Sequence, residues 1–147
     1  IDDGSLDGSL TLAQELCEQH GNTALVRLSR NFGKEVATTA GIHAAHGDAI
    51  ITIDADGQHP VELLPQFIHK WREGNHVVVV VRTANEREGV VKRLGSRLIY
   101  LFFNKLSGVK LVPGSTDYRL IDKSVQHDFI QMTERNRITR GLIDWLG

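Results

Sequence analysis

The constraint that most limits this chain is an alternation of short apolar runs with longer amphipathic stretches. Ala24–Leu28, Ala49–Ile53 and His76–Val81 are rich in Val, Ile and Ala and show no strict polar alternation. Strands buried on both faces read this way. Between them, Ser9–His20, Gly33–Ala45 and Val61–Glu73 place their apolar residues at helical spacing. Leu63, Leu64, Phe67, Ile68 and Trp71 form one such stripe. Pro60 precedes that helix, and Gly21, Gly47 and Gly74 follow the three helices as stop signals. The order βαβαβαβ predicts an α/β protein, a three-layer sandwich around a mostly parallel sheet. At 147 residues the chain suits one domain with one core. Ile1-Asp2-Asp3 reads as the tail of a strand, so the domain is expected to lack its first strand.

Beyond Arg82 the pattern changes. Glu88–Leu106 reads as a long helix, Lys110–Ile121 as an irregular piece and Lys123–Met132 as a further helix. The longest apolar runs, Val77–Val81 and Leu98–Phe103, fall far short of the ~18 to 20 residues of a membrane span. A formal net charge of −1 supplies no general pull toward nucleic acid. Cys17, the one cysteine, lies in an amphipathic stretch and reads as a structural thiol.

In open α/β sheets, ligands bind outside the carboxyl ends of the strands. The acids of this chain gather at such positions. Asp2 and Asp3 end the strand tail at Ile1, and Asp54 and Asp56 end the run Ala49–Ile53. In an extended chain, positions i and i+2 share a face, so Asp54 and Asp56 point the same way. Two carboxylates on one side of a strand end need a partner. A hard cation such as Mg²⁺ or Mn²⁺, bound together with a diphosphate, suits oxygen donors. Gln58 and His59, next in the loop, can complete such a sphere. The bland alternative is a turn, with Asp56-Gly57 as the turn dipeptide.

Five segments in order carry a resemblance: Asp2-Asp3-Gly4-Ser5, Ser29-Arg30-Asn31-Phe32-Gly33-Lys34-Glu35, Asp54-Ala55-Asp56-Gly57-Gln58-His59-Pro60, Asp117-Tyr118-Arg119-Leu120 and Arg140-Gly141-Leu142. Together they resemble the family 2 inverting glycosyltransferases, in particular the dolichol- and polyprenyl-phosphate sugar transferases of the dolichol-phosphate mannose synthase-like group. The resemblance covers essentially the whole chain. It implies a GT-A-like fold, a UDP- or GDP-sugar donor, Mg²⁺ or Mn²⁺, and a polyprenyl or dolichyl phosphate acceptor at the cytoplasmic face of a membrane. Relatives begin with a further strand and a nucleotide-holding loop, so residues 1–147 are expected to be one incomplete catalytic domain. An open sheet edge also invites a second copy of the chain.

Residue by residue, the resemblance implies donor binding by Asp2, Asp3 and Asp54. Metal ligation falls to Asp54, Asp56 and Gln58. Contact with the acceptor phosphate falls to Arg82, Arg93 and Ser96. Asp117 resembles the acid near the reacting centre, with Arg119 the basic residue beside it. Several of these have plainer readings. Arg82, Arg87, Lys92, Arg93 and Arg97 can form a solvated helix face. His43 and His46 lack a third ligand and read as surface or packing residues. Lys34 belongs to no phosphate-binding loop, and Asn31 or Ser29 is expected to cap the helix that follows.

Three other functions compete with this one. A processive polysaccharide synthase would carry Gln-x-x-Arg-Trp, but Gln131 is followed by Met132-Thr133-Glu134-Arg135. A phosphoacceptor signalling domain would need a later strand-end lysine, where this chain has Arg82. A non-catalytic nucleotide-sugar-binding module fits the incomplete domain.

Overall fold

The computed structural model describes residues 1–81, 114–132 and 139–146. Arg82, Arg93, Ser96 and the helix expected over 88–106 lie outside them. The chain divides into two units, Ile1–His46 and Gly47–Gly147.

In the first unit, α1 (Ser9–Gln19) and α2 (Lys34–Ala44) confirm two of the expected helices. Their C-terminal ends fall just before Gly21 and Gly47, as the stop signals suggest. Ile42 of α2 is fully buried, whereas α1 buries none of its side chains. The segment Ala24–Leu28 does not become a full strand. It makes one parallel bridge, in which Asp2 N–H donates to the Val26 carbonyl at 2.9 Å and Leu28 N–H donates to the Asp2 carbonyl at 2.9 Å. Apolar content makes a strand possible, but a strand extends only where a neighbour supplies its ladder.

The second unit holds a three-stranded sheet of β1 (Ala49–Thr52), β2 (Val77–Val81) and β3 (Ser115–Asp122), in the order β1-β3-β2. A short 3₁₀ turn, Val61–Leu63, leads into α3 (Leu64–Arg72), which links β1 to β2. Two further helices follow β3: α4 (Lys123–Gln131) and α5 (Thr139–Leu146).

The α/β class holds, with one change to the sheet. β1 and β2 run in the same direction but are not neighbours. β3 lies between them and pairs antiparallel with both, Thr52 opposite Arg119 on one side and Val79 opposite Arg119 on the other. Both described ladders are therefore antiparallel, and most of the piece read as irregular is the central strand. Its polar residues broke the apolar run in the sequence, yet its alternation serves two covered faces. Tyr118 and Leu120 pack with Phe67 of α3, and Ala49, Ile51, Val78, Val80 and Trp71 close around them. The rings of Phe67 and Tyr118 meet edge to face at 4.8 Å, a geometry worth about 0.5–1.5 kcal/mol beyond burial. On the other face Ile50 and Ile121 are buried, and α4 packs along β1 and β3. α4 also packs on α5, and their Val125, Phe129 and Ile143 are buried.

Asp122 joins two of these layers. Its Oδ2 accepts the Trp71 indole N–H at 2.6 Å. Its Oδ1 accepts the backbone N–H and the hydroxyl of Ser124 at 2.8 and 2.7 Å, capping α4. The Ser124 and Trp71 donors, with His76 nearby, pull this carboxyl down to about 2.

Candidate active site

The antiparallel insertion of β3 gathers chemistry at one edge of the sheet. The carboxyl ends of β1 and β2 and the amino end of β3 all lie there, since β3 runs opposite to both. Asp54-Ala55-Asp56 follows β1 directly, and Asp117 is the third residue of β3. The ladder between β1 and β3 ends with Thr52 opposite Arg119, two residues short of Asp54 on one strand and of Asp117 on the other. The Thr52 hydroxyl ties the two strands at this point, donating to the Asp117 carbonyl at 2.6 Å.

Each acid at this edge has a distinct environment. Asp54 is half-buried, and its Oδ2 lies 3.5 Å from His59 Nε2. Asp56 is exposed, and its Oδ1 accepts the Gln58 N–H at 3.0 Å. The turn reading and the ligand reading of Asp56 are thus compatible, because the turn bond occupies one oxygen. Gln58 is exposed in the same loop. The loop is pinned from below. The Tyr118 hydroxyl donates to the Pro60 carbonyl at 3.0 Å, and the His59 ring lies 5.0 Å from the Tyr118 ring. Burial, reinforced by the charge of Glu62, pushes the Tyr118 phenol up, so it remains a neutral donor at any physiological pH.

Arg119, expected as the basic group beside Asp117, lies two residues from it on β3. It is 2% exposed, and its guanidinium donates to the Thr116 carbonyl at 3.0 Å. A buried guanidinium needs such partners. From this position it braces the backbone on one side of Asp117, as Thr52 does on the other.

The first unit carries the other acid pair. Asp3 spans a loop, its Oδ1 accepting the Phe32 N–H at 2.8 Å and its Oδ2 the Gly33 N–H at 2.9 Å. This clasp replaces the expected side-chain cap from Asn31 or Ser29. Gly33 itself is the N-cap of α2, at φ +91°, with no side-chain bond to the helix. Gly4 makes the clasp possible. It adopts φ +73°, and a Cβ there would lie 2.4 Å from the Arg30 carbonyl carbon. The Arg30 guanidinium lies over the Phe32 ring at 4.9 Å.

Asp2 differs from its neighbour. It is 8% exposed, and its Oδ1 accepts the Ser5 N–H at 3.2 Å. Its Oδ2 is buried without a hydrogen-bond partner among the described residues. Hydrogen bonding from Ser5 holds this carboxyl below its ordinary value, against the opposing effect of burial. Asp3 is thus committed to its own loop, and Asp2 keeps an acceptor in reserve.

Two features, one in each unit, were missed in the sequence. The clasp of Asp3 joins residues 29 and 30 positions apart, for which no local pattern exists. His59 Nε2 lies 3.5 Å from Asp54 Oδ2, a contact for which its place within the Asp-x-Asp loop was the available signal. Among the described residues, no three His, Cys, Asp or Glu side chains gather as a metal cage. No helix among them is long and apolar enough to cross a membrane.

Comparison with known proteins bears on this geometry. Residues 1–130 match the family described as Glycosyl transferase family 2. Over 147 residues the chain is 38% identical to an uncharacterized glycosyltransferase of Synechocystis sp., covering all of this chain and 46% of that protein. It is 36% identical over its whole length to a prophage bactoprenol glucosyl transferase homolog of Escherichia coli, covering 48% of it. It is 35% identical to the bactoprenol glucosyl transferase of Shigella phage SfV, again covering 48%. The chain spans about half the length of the curated relatives it matches.

Proposed function

Because the chain belongs to glycosyl transferase family 2, we propose that it is the catalytic portion of an enzyme moving a sugar from a UDP- or GDP-sugar to a polyprenyl or dolichyl phosphate. The observation that supports this reading is the set of acids at one end of the sheet, with Asp54 and Asp56 in the loop after β1 and Asp117 on β3, its carbonyl tied to Thr52 at the end of β1. Relatives named bactoprenol glucosyl transferase support a lipid phosphate as acceptor. The work then takes place at the cytoplasmic face of a membrane.

The donor set fits a divalent ion that arrives with a diphosphate. A hard ion such as Mg²⁺ needs only one or two carboxylates from the protein when phosphate oxygens and water complete its shell. Asp54 and Asp56 would hold the ion, with Gln58 as a further oxygen donor. When bound, it neutralises the charge that develops on the leaving diphosphate.

The remaining roles fall to the chain's own groups. Asp2 offers its buried Oδ2 to an N–H or O–H of the donor nucleoside, while Asp3 keeps the neighbouring loop in place. Asp117 orients the reacting groups. It need not act as a strong base, because a phosphate monoester with a second pKa near ~6 is largely a dianion at neutral pH. Arg119 positions Asp117 through the backbone. Arg82, Arg93 and Ser96 would receive the acceptor phosphate, for which a guanidinium fork is geometrically matched. A single in-line displacement inverts the anomeric centre.

Calorimetric titration with UDP and GDP, with and without Mn²⁺, tests the donor site. Metal-dependent binding of one nucleotide, lost in Asp56→Ala, is the expected outcome. Metal-independent binding that survives the substitution would exclude this arrangement.

A further inference from the structure

His59 lies within the loop that carries the acids, yet it is not presented as a ligand. Its side chain is only 8% exposed, against 33% for Asp54. Its ring rests against Tyr118 at 5.0 Å, tilted by 40°. Tyr118 is in turn immobilised by Phe67, edge to face at 4.8 Å, and by its hydroxyl bond to the Pro60 carbonyl. The surface beneath the imidazole and the backbone just after it are therefore both fixed. The atom this arrangement presents to Asp54 is Nε2, 3.5 Å from Oδ2.

We propose that His59 is a positioning residue, which sets the rotation of the Asp54 carboxylate and thereby its affinity for a divalent ion. The inference rests on the donor-site reading above. The rotation of a ligating carboxylate about its last bond decides how its oxygens meet the ion. The imidazole held beside Oδ2 restrains that rotation. Groups that orient a metal ligand from behind affect metal affinity by about 10- to 100-fold. His59 as a ligand in its own right fits poorly, because its exposed area is small and its Nε2 faces the acid. His59 as mere packing predicts that a phenyl ring would serve equally well, since the stack on Tyr118 needs no nitrogen.

The discriminating experiment uses Mn²⁺ titrated into the protein in the presence of UDP, and separately GDP, with free Mn²⁺ read by its paramagnetic resonance signal. His59→Phe keeps the ring and removes the donor. It is expected to weaken Mn²⁺ binding by about 10- to 100-fold, with the thermal midpoint and the metal-free nucleotide affinity unchanged. His59→Gln restores an N–H near the position of Nε2 and is expected to recover most of the loss. Should His59→Phe fail to fold, His59→Met, of similar volume and without a donor, replaces it in the same comparison. Wild-type Mn²⁺ affinity in a folded donorless variant would overturn the proposal, as would a glutamine variant no better than the donorless one. If the wild type binds no Mn²⁺ with either nucleotide, the donor-site reading fails and the role of His59 falls with it. A wild type that binds beside an equally competent phenylalanine variant removes the role of His59 alone.

Discussion

Replacing Asp122 with alanine removes one carboxylate that serves α3 and α4 at once. Trp71 loses the acceptor of its indole N–H, and α4 loses its cap from the backbone and hydroxyl of Ser124. The carboxyl is drawn from an ordinary 3.8 to about 2, mainly by Ser124 and Trp71. At 1.36 kcal/mol per pH unit, that difference corresponds to about 2 kcal/mol of folding stability. The cap alone is worth about 1 kcal/mol and an orphaned buried N–H costs about 1–3 kcal/mol, so the figures overlap and agree in size. The sign follows from the depressed value. The stabilisation is present in full above pH 4 and is lost as pH falls from about 4 to 2, where the folded-state carboxyl protonates. Urea unfolding followed by tryptophan fluorescence measures it. At pH 7, Asp122→Ala should be less stable by about 2–4 kcal/mol. Between pH 4 and 2 the wild type should lose about 2 kcal/mol more than the variant. Parallel pH curves for the two proteins, or a loss below about 0.5 kcal/mol at pH 7, the range of ordinary surface substitutions, would refute the reasoning.

Other outcomes follow from the same geometry. Asp3→Ala should destabilise by about 1–3 kcal/mol, and hydrogen exchange should show the Phe32 and Gly33 amides losing protection, because both donate to that carboxylate. Gly4→Ala forces a Cβ to 2.4 Å from Arg30 at positive φ and should cost at least about 1–2 kcal/mol, seen as a lower midpoint in thermal melting. Phe67→Ala removes a buried ring from against Tyr118 and should cost about 3–5 kcal/mol, measured by denaturant midpoint.

Much of this was legible in the sequence where the determining forces are local. Helical spacing gave α1, α2 and α4 within a residue or two and α3 with its first three residues wound as a 3₁₀ turn, and buried Phe67 sits in the stripe that predicted it. The same stripe included Ile68, which is 39% exposed, because a single helix face covers only part of an apolar arc. The runs at Ala49 and Val77 became β1 and β2. β3 was not legible because its pairing is non-local and its polar members, Asp117 and Arg119, mimic a loop. The Thr116 carbonyl, which accepts from the Arg119 guanidinium, helps make a buried charge tolerable there. Ala24–Leu28 failed in the opposite way, having strand composition but one bridge to Asp2. For the site, the acids stood out at strand ends. Their division of labour did not, since Asp2 and Asp3 are neighbours in sequence and differ only in what lies across from them.

The central claim concerns a transfer, and the most direct measurement is the product. The protein would be incubated with Mn²⁺, radiolabelled UDP-glucose or GDP-mannose, and vesicles carrying undecaprenyl or dolichyl phosphate. Label should move into the lipid fraction from one donor only, in the inverted anomeric configuration, and Asp56→Ala should abolish it. Label released as free sugar with none on lipid, or lipid product formed equally by Asp56→Ala, would contradict the account.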